Sequence, residues 1–293
     1  MNEVIKVGFC VAYDWRLLEY ALPLIYNAAD EIHLSVDIEK KTWANSSFEL
    51  DQEGFRALIS SIDLKNKVHI YEDNFHLPEL TTMENEVRQR NMMATKMGPG
   101  GWHIQLDCDE YFIGFDEFIK FLKSAGRKNY KFNVCCSLVT LFKQVEAGFL
   151  YVAPDTFQKV EFIQIATRTP HYQFGRRNGD FNIYTNFKII HQSWARSETE
   201  IHQKIINWGH NNDFDSDYFI EFWKSLDEYN YKTVKDFHPI NSSQWPFLRF
   251  IQAGSIEDCI EHLDKLNPYP LSKAEILLKN SRWLSKIKQL LKI

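Results

Sequence analysis

A chain of 293 residues can bury one sizeable core with an appended subdomain, and 44 % hydrophobic with 25 % charged residues is the balance of an ordinary globular protein. A net charge of −5 and a pI near 6.1 argue against general nucleic-acid binding, and no stretch is apolar for the length of a membrane span. Cys10, Cys108, Cys135, Cys136 and Cys259 are odd in number without metal-type spacing, so reduced thiols are expected. The N-terminus lacks the basic and apolar segments of a secretory signal, and a cytoplasmic location is the expectation.

Val4 to Ala12 is an apolar, β-branched run broken at Asp14, after which Leu17, Leu18, Ala21, Leu22 and Ile25 fall at helical spacing. Ile32 to Val36 reads as a second strand ending at Asp37, Gln52 to Ser61 as a helix and Lys67 to Tyr71 as a third strand. This alternation is that of parallel βαβ units, whose right-handed crossovers place all strand ends on one rim. From Met83 to Met97, Met83, Val87, Ala94 and Met97 share a helical face with Arg90, and Asn91 lies beside it. An Arg on an apolar face calls for a carboxylate, a phosphate or backbone carbonyls, unless its stem packs flat and its head reaches solvent. Gly98-Pro99-Gly100-Gly101 then ends the helix.

The segment Trp102 to Phe112 is the centre of the sequence. An apolar strand runs directly into Asp107, Asp109 and Glu110, and in open α/β sheets ligands bind at the carboxyl ends of strands. Asp107 and Asp109, two apart, can converge on one hard divalent cation; the plainer role is a charged strand end that caps a helix. Asp213-Phe214-Asp215 and Asp215-Ser216-Asp217 repeat the pattern, but in a polar loop without the turn glycine or closing Glu of a calcium site.

Asp14, Asp37, the Arg90-Asn91 pair and Asp107-Cys108-Asp109-Glu110, in that order, resemble the GT-A nucleotide-sugar glycosyltransferases, family 2 in particular, over the first 125 residues. The resemblance implies an α/β, Rossmann-like, mostly parallel sheet flanked by helices, here with a helical C-terminal extension. It implies that Asp14 and Asp37 hold the nucleoside, that Arg90 and Asn91 support the diphosphate, and that Asp107 and Asp109 hold Mn²⁺ or Mg²⁺. The family often has adjacent acids where this chain has Asp14-Trp15-Arg16.

Further along, Phe115 to Lys123 reads as a helix and Lys131 to Phe142 as a strand. In Phe187 to Arg196 an apolar strand leads to His191, which the resemblance assigns to the metal shell; a lone His is otherwise a packed or surface residue. Arg196 is available either to a diphosphate or to Glu198 and Glu200. The resemblance places a catalytic base, if the reaction inverts, between the acidic strand and His191, where Glu161 and Asp180 are the candidates, although the family's usual Glu-Asp pair is missing there. Ser197 to Trp208 and Tyr218 to Tyr229 read as helices with His210 between them in a structural role, and capping boxes open at Ser255 and Ser272. The expected division is a catalytic domain over 1–215 and a helical subdomain over 216–293.

In the final helix Ile276, Trp283, Leu284, Ile287, Leu290 and Leu291 share a face, while Lys279, Arg282, Lys286, Lys288 and Lys292 occupy much of the rest. Such a helix suits peripheral contact with an anionic membrane, or a core-packed helix with solvated lysines. The expected activity is metal-dependent transfer of a sugar from a UDP or GDP sugar to a saccharide or lipid-linked glycan, as in surface polysaccharide or glycoconjugate synthesis. Two other readings stay open. One is a non-catalytic glycan-binding protein; the other is a haloacid-dehalogenase-type phosphotransferase, in which Glu110 and Tyr111 stand where a small residue and Thr are usual.

Overall fold

The computed structural model describes residues 3–126, 128, 130–156, 159–207, 213–266, 268 and 270–283. Its first half is a parallel βαβ array. β1 (Ile5–Val11), buried along its whole length, pairs in parallel with β2 (Glu31–Asp37) on one side and β4 (Trp102–Asp107) on the other, and β2 pairs with β3 (Val68–Asp73). Burial on both faces explains why β1 reads as a continuous apolar run and not an alternating one. Ile5, Val7, Phe9 and Val11 face the main core, which includes α1 (Leu18–Tyr26) and residues of α2 (Gln52–Ile62). Gly8 and Cys10 face α3 (Thr82–Met97). A Cβ on Gly8 would sit 2.6 Å from Met97 Cε and 2.7 Å from Met93 Sδ, so the glycine sets how closely this helix approaches the sheet.

The second half mixes directions. Among the described residues the sheet has ten strands, in the order β10-β7-β6-β8-β4-β1-β2-β3, with β9 beside β6 and β5 (Glu110–Ile113) beside β9. β8 (Phe162–Thr167) runs antiparallel to both β4 and β6 (Phe132–Val145), and β9 (Phe181–His191) runs parallel to β6. The ends of β4, β6 and β9 and the start of β8 therefore share one rim. β7 (Gly148–Ala153) and β10 (Phe247–Gln252) extend the far side as an antiparallel pair. The architecture is α/β, with a mixed, mostly parallel central sheet flanked by helices.

Phe112, α4 (Phe115–Ala125) and Phe187 build an aromatic knot in which the Phe118 ring lies 4.6 Å from Phe112 and 5.2 Å from Phe187. A second core forms where α5 (Glu198–Asn207) and α6 (Ser216–Ser225) cover β6 and β7, and there Trp223 Nε1 donates to the carbonyls of Phe142 (2.9 Å) and Trp194 (3.1 Å). Three strand lysines cap helix C-termini, where unpaired carbonyls and the helix dipole favour a cation. Lys6 Nζ reaches Met97 O at 2.7 Å after α3, Lys143 Nζ reaches Leu226 O at 2.6 Å after α6, and Lys188 Nζ reaches Leu263 O at 2.6 Å in α7 (Ile256–Lys265).

Residues 216–293 are not helical throughout: besides α6, α7 and α8 (Lys273–Lys279) they contain β10, whose half-exposed residues gave no clear strand pattern. The second Asp-x-Asp is a helix cap, Asp215 accepting from Tyr218 N at 3.0 Å. Ser272 and Glu275 form the anticipated capping box, and Asn280 pins α8 to β9 through Tyr184 N and O at 2.8 and 2.9 Å. His210 and the final-helix residues from Leu284 onward lie outside the described residues.

Phe118 is fully buried, so Phe118→Ala is expected to lower the unfolding free energy by about 3–5 kcal/mol, measured by chemical denaturation.

Candidate functional site

The carboxyl ends of β1, β2 and β4 open onto a cleft of about 730 Å³, within the usual range of small-molecule sites. It lies where the strand order turns back, β1 being flanked by β2 on one side and the later strand β4 on the other, and such a reversal leaves a crevice between outgoing connections. Asp14, Asp37, Arg90, Asp107, Asp109, Glu161 and His191 all line it.

Strand alternation puts Asp107 and Asp109 on the cleft side of a four-residue turn, while Cys108 points inward with its thiol 3.5 Å from Cys10 O. Glu110 closes the turn by accepting Asp107 N at 2.9 Å. Arg90 donates Nε to Glu86 at 2.9 Å and Nη2 to both Asp107 oxygens at 2.9 and 3.2 Å. Arg176 donates Nη2 to Asp107 at 2.6 Å and to Glu110 at 2.9 Å. Arg196 holds Asp109 and, at 3.2 Å, Asp14. Lys204 Nζ and His191 Nε2 stand 3.4 and 3.3 Å from the same Asp109 oxygen.

These neighbours split the acids electrostatically. Burial alone would raise Asp109, but His191, Lys204 and Arg196 hold it well below the usual carboxylate range. Burial likewise opposes Arg176 and Arg90 at Asp107, and the arginines prevail, lowering it. Glu110 and Asp14 go the other way, burial raising them despite Arg176 and Arg196 respectively.

Arg176 was not among the residues singled out from sequence. It sits on a tight turn over Gln173 to Arg177, with Gln173 N bonding Arg177 O at 2.7 Å and Gly175 at φ +53°. Asn91 anchors this segment, giving Nδ2 to Tyr172 O at 2.9 Å and taking Tyr172 N at 2.8 Å. The Arg90-Asn91 pair thus acts twice, Arg90 in the cleft and Asn91 behind it. The signal available in sequence was the run Gly175-Arg176-Arg177-Asn178-Gly179, a basic pair on a glycine-flanked turn. Lys204 gave no comparable signal, being one polar residue of α5.

Asp37 reaches the cleft wall with its carboxylate already committed. It accepts Glu39 N (3.0 Å), Lys41 N (3.1 Å), Phe75 N (2.9 Å) and His76 N (3.0 Å), tying the loop after β2 to the loop after β3. Arg196 lies behind the acids and pairs with neither Glu198 nor Glu200; Glu198 pairs with Lys224 at 2.6 Å, and Glu200 accepts Ser197 N at 2.9 Å. Glu161, just before β8, is raised by burial, with His191 opposing the shift. Asp180 is not brought to the cleft. It precedes β9, whose 11 residues, at about 3.3 Å each, separate it from His191 by about 36 Å of extended chain, and it accepts the Thr169 hydroxyl.

Asp107, Asp109 and His191 all line the cleft, and the two acids are already paired with side-chain cations. Both Asp107 oxygens accept guanidinium N–H groups, one Asp109 oxygen faces Arg196, Lys204 and the His191 ring, and among the described residues no group of three or more His, Cys, Asp or Glu is arranged to hold a metal.

No family model matches the sequence, and no curated protein matches it. Among solved structures, 98 % of the chain aligns with 58 % of GalNAc-T7 with UDP, GalNAc and Mn²⁺, at 11 % identity and a TM-score of 0.42. With S. aureus TarS 1-349, 49 % of the chain aligns with 36 % of that chain at 11 % identity and a TM-score of 0.29. With 4-diphosphocytidyl-2C-methyl-D-erythritol synthase the figures are 60 % and 72 %, 10 % identity and 0.31. This chain therefore spans about a third of the TarS fragment and under two thirds of the GalNAc-T7 chain. Such distant likenesses assign no residue a role.

Asp109→Ala removes the buried carboxylate that Arg196 and Lys204 share, leaving Arg196 with Asp14 alone, and is expected to destabilise the protein by about 3–5 kcal/mol at pH 7. Because the folded-state pKa of Asp109 lies below its unfolded value of about 3.9, its contribution is complete above that pH and drains away as pH falls below it. Unfolding curves of the two proteins should accordingly converge in acid.

Proposed function

We propose that the cleft binds a nucleotide sugar, a UDP or GDP sugar, and that the protein transfers the sugar to a hydroxyl of a saccharide or lipid-linked glycan. The observation that carries this reading is the Asp107 to Glu110 strand end, held by Arg90 and Arg176 in a cleft that also contains Glu161. In the transfer, the acceptor oxygen bonds to the anomeric carbon as the bond to the diphosphate breaks, and the nucleoside diphosphate leaves with the electron pair. Arg90, Arg176 and Lys204 are fixed positive charges beside the place where that negative charge develops. Glu161, raised by burial, is the group suited to take the acceptor proton. No step in this reading runs through a divalent ion, because the acids that would hold one are already paired with side-chain cations. Both oxygens of Asp107 are engaged by arginines, which suits a positioning role better than that of a phosphoryl-accepting nucleophile.

The lipid-linked form of the acceptor draws support from the C-terminal surface, where Leu277, Leu278 and Trp283 are 72, 60 and 70 % exposed. Basic residues Lys273, Lys279 and Arg282 lie in the same segment, and an apolar surface with basic neighbours suits an anionic membrane face.

Thermal stabilisation by a panel of nucleotides and nucleotide sugars tests the donor site, with UDP or GDP compounds expected to raise the melting temperature. No shift with any of them, in folded protein, would remove the basis of the proposal; sugar binding without turnover would favour the glycan-binding alternative. Glu161→Gln should lower transfer by about 10²–10⁴-fold while leaving nucleotide affinity unchanged. The acidic limb of the wild-type pH–rate profile should lie above the ordinary Glu value of about 4.3 and vanish in that variant. For the membrane surface, the double substitution Leu277→Glu, Trp283→Glu should abolish co-sedimentation with vesicles rich in anionic lipid; wild type that stays in the supernatant would point to a water-soluble acceptor.

A further inference from the structure

Arg90 and Arg176 are 1 and 7 % exposed, and both line the cleft. Each spends Nη2 on carboxylates, Arg90 on Asp107 and Arg176 on Asp107 and Glu110. Each also keeps a buried Nη1 with no hydrogen-bond acceptor. Arg196 has an orphaned Nη1 as well, but it does not line the cleft and serves Asp14 and Asp109 from behind. Buried donors on a charged group are costly to leave unpaired, and a site that keeps two of them on arginines gripping one carboxylate is short of an acceptor. An acceptor able to serve both must carry several oxygens and negative charge. A phosphate or diphosphate meets that description, and guanidinium is the side chain whose planar fork fits it.

The same pairs count against a divalent cation at this place. A cation bound to both Asp107 oxygens would compete with the guanidiniums of Arg90 and Arg176 that already occupy them. Asp107 and Glu110 instead look inward to the arginines, setting the angle at which these face the cleft. Two anchors fix the supply of charge from outside the strand: Glu86 grips Arg90 at 2.9 Å, and Asn91 pins the turn that delivers Arg176.

We propose that Arg90 and Arg176 together bind the diphosphate of the ligand directly, in place of a divalent cation, with Asp107 and Glu110 acting as positioning residues for the two guanidiniums. The identity of that ligand as a nucleotide sugar rests on the functional reading above; the anion site itself does not.

Titration calorimetry with inorganic pyrophosphate, UDP and GDP, each in EDTA and again in Mn²⁺, separates the two ideas. Pyrophosphate and at least one nucleotide should bind in EDTA with affinity that Mn²⁺ leaves essentially unchanged. Arg176→Ala should weaken binding in EDTA by about 10–100-fold, the loss of one charged hydrogen-bonding group. A purely structural role for Arg176 would not predict the further result: with Asp107 partly freed, binding by the Ala variant should become Mn²⁺-dependent. Arg176→Lys, which keeps the charge beside Asp107 and Glu110, guards against simple misfolding and should retain part of the affinity. Binding seen with Mn²⁺ or Mg²⁺ alone, and lost in EDTA, would overturn this inference and leave the donor site standing. Pyrophosphate binding in EDTA without any nucleotide binding would keep the inference and overturn the donor reading. If neither pyrophosphate nor nucleotide binds under either condition, both fall.

Discussion

The upper rim of this protein depends on a buried lattice of ion pairs around one four-residue turn. Asp107, Asp109 and Glu110 arrive on adjoining strands, and their partners come from four other places: Arg90 from α3, Arg176 from the turn before β9, Arg196 from the segment after β9, and Lys204 from α5. Removing so many charges from water is unfavourable unless each finds a partner of good geometry, and an ion pair of this kind is weak evidence for stability in itself. What it supplies is position. A helix, a surface turn and two strands that share little sequence proximity are brought to one set of distances because only that set pairs every carboxylate.

The same economy of donors and acceptors recurs elsewhere in the molecule. Lys6, Lys143 and Lys188 are strand residues whose ammonium groups end at the carbonyls of α3, α6 and α7, so a cation in an apolar strand marks the place where a helix stops. Asp37 does the converse, collecting four backbone N–H groups that the ends of β2 and β3 leave over. In both cases the charged side chain completes the backbone of a neighbouring element and is thereby unavailable to a ligand.

The parallel half of the fold was legible because its signal is local. Strands buried on both faces leave apolar runs, their helices leave a 3.6-residue period, and the carboxylates that end those runs fall on one rim by the handedness of the crossovers. The antiparallel half was less so: β7 and β8 were not resolved as strands, and β10, half-exposed at an edge, broke an expected run of helices. Within the site, position along the chain misled where strand length intervened. Asp180 lies 11 residues before His191, but those residues form β9, and the two are delivered to opposite ends of the sheet. Arg176 escaped notice for a related reason. Its partner Asp107 is 69 residues away, beyond a helix and four strands, and no periodicity reports such a contact.

Three Asp-x-Asp matches, together with Asp37, show why a motif must be read by its donors. Asp215 meets a backbone N–H and is a helix cap; Asp37 meets four and is a loop clasp. Asp107 meets two guanidiniums that are not themselves exhausted by the encounter, since each retains an unpaired donor in a cleft large enough for a ligand. A saturated carboxylate closes its surroundings, whereas Asp107 holds two buried guanidiniums that each keep an unpaired donor at the cleft wall. By that criterion the proposed anion site belongs to the pair of arginines, and the acids are the means of holding them.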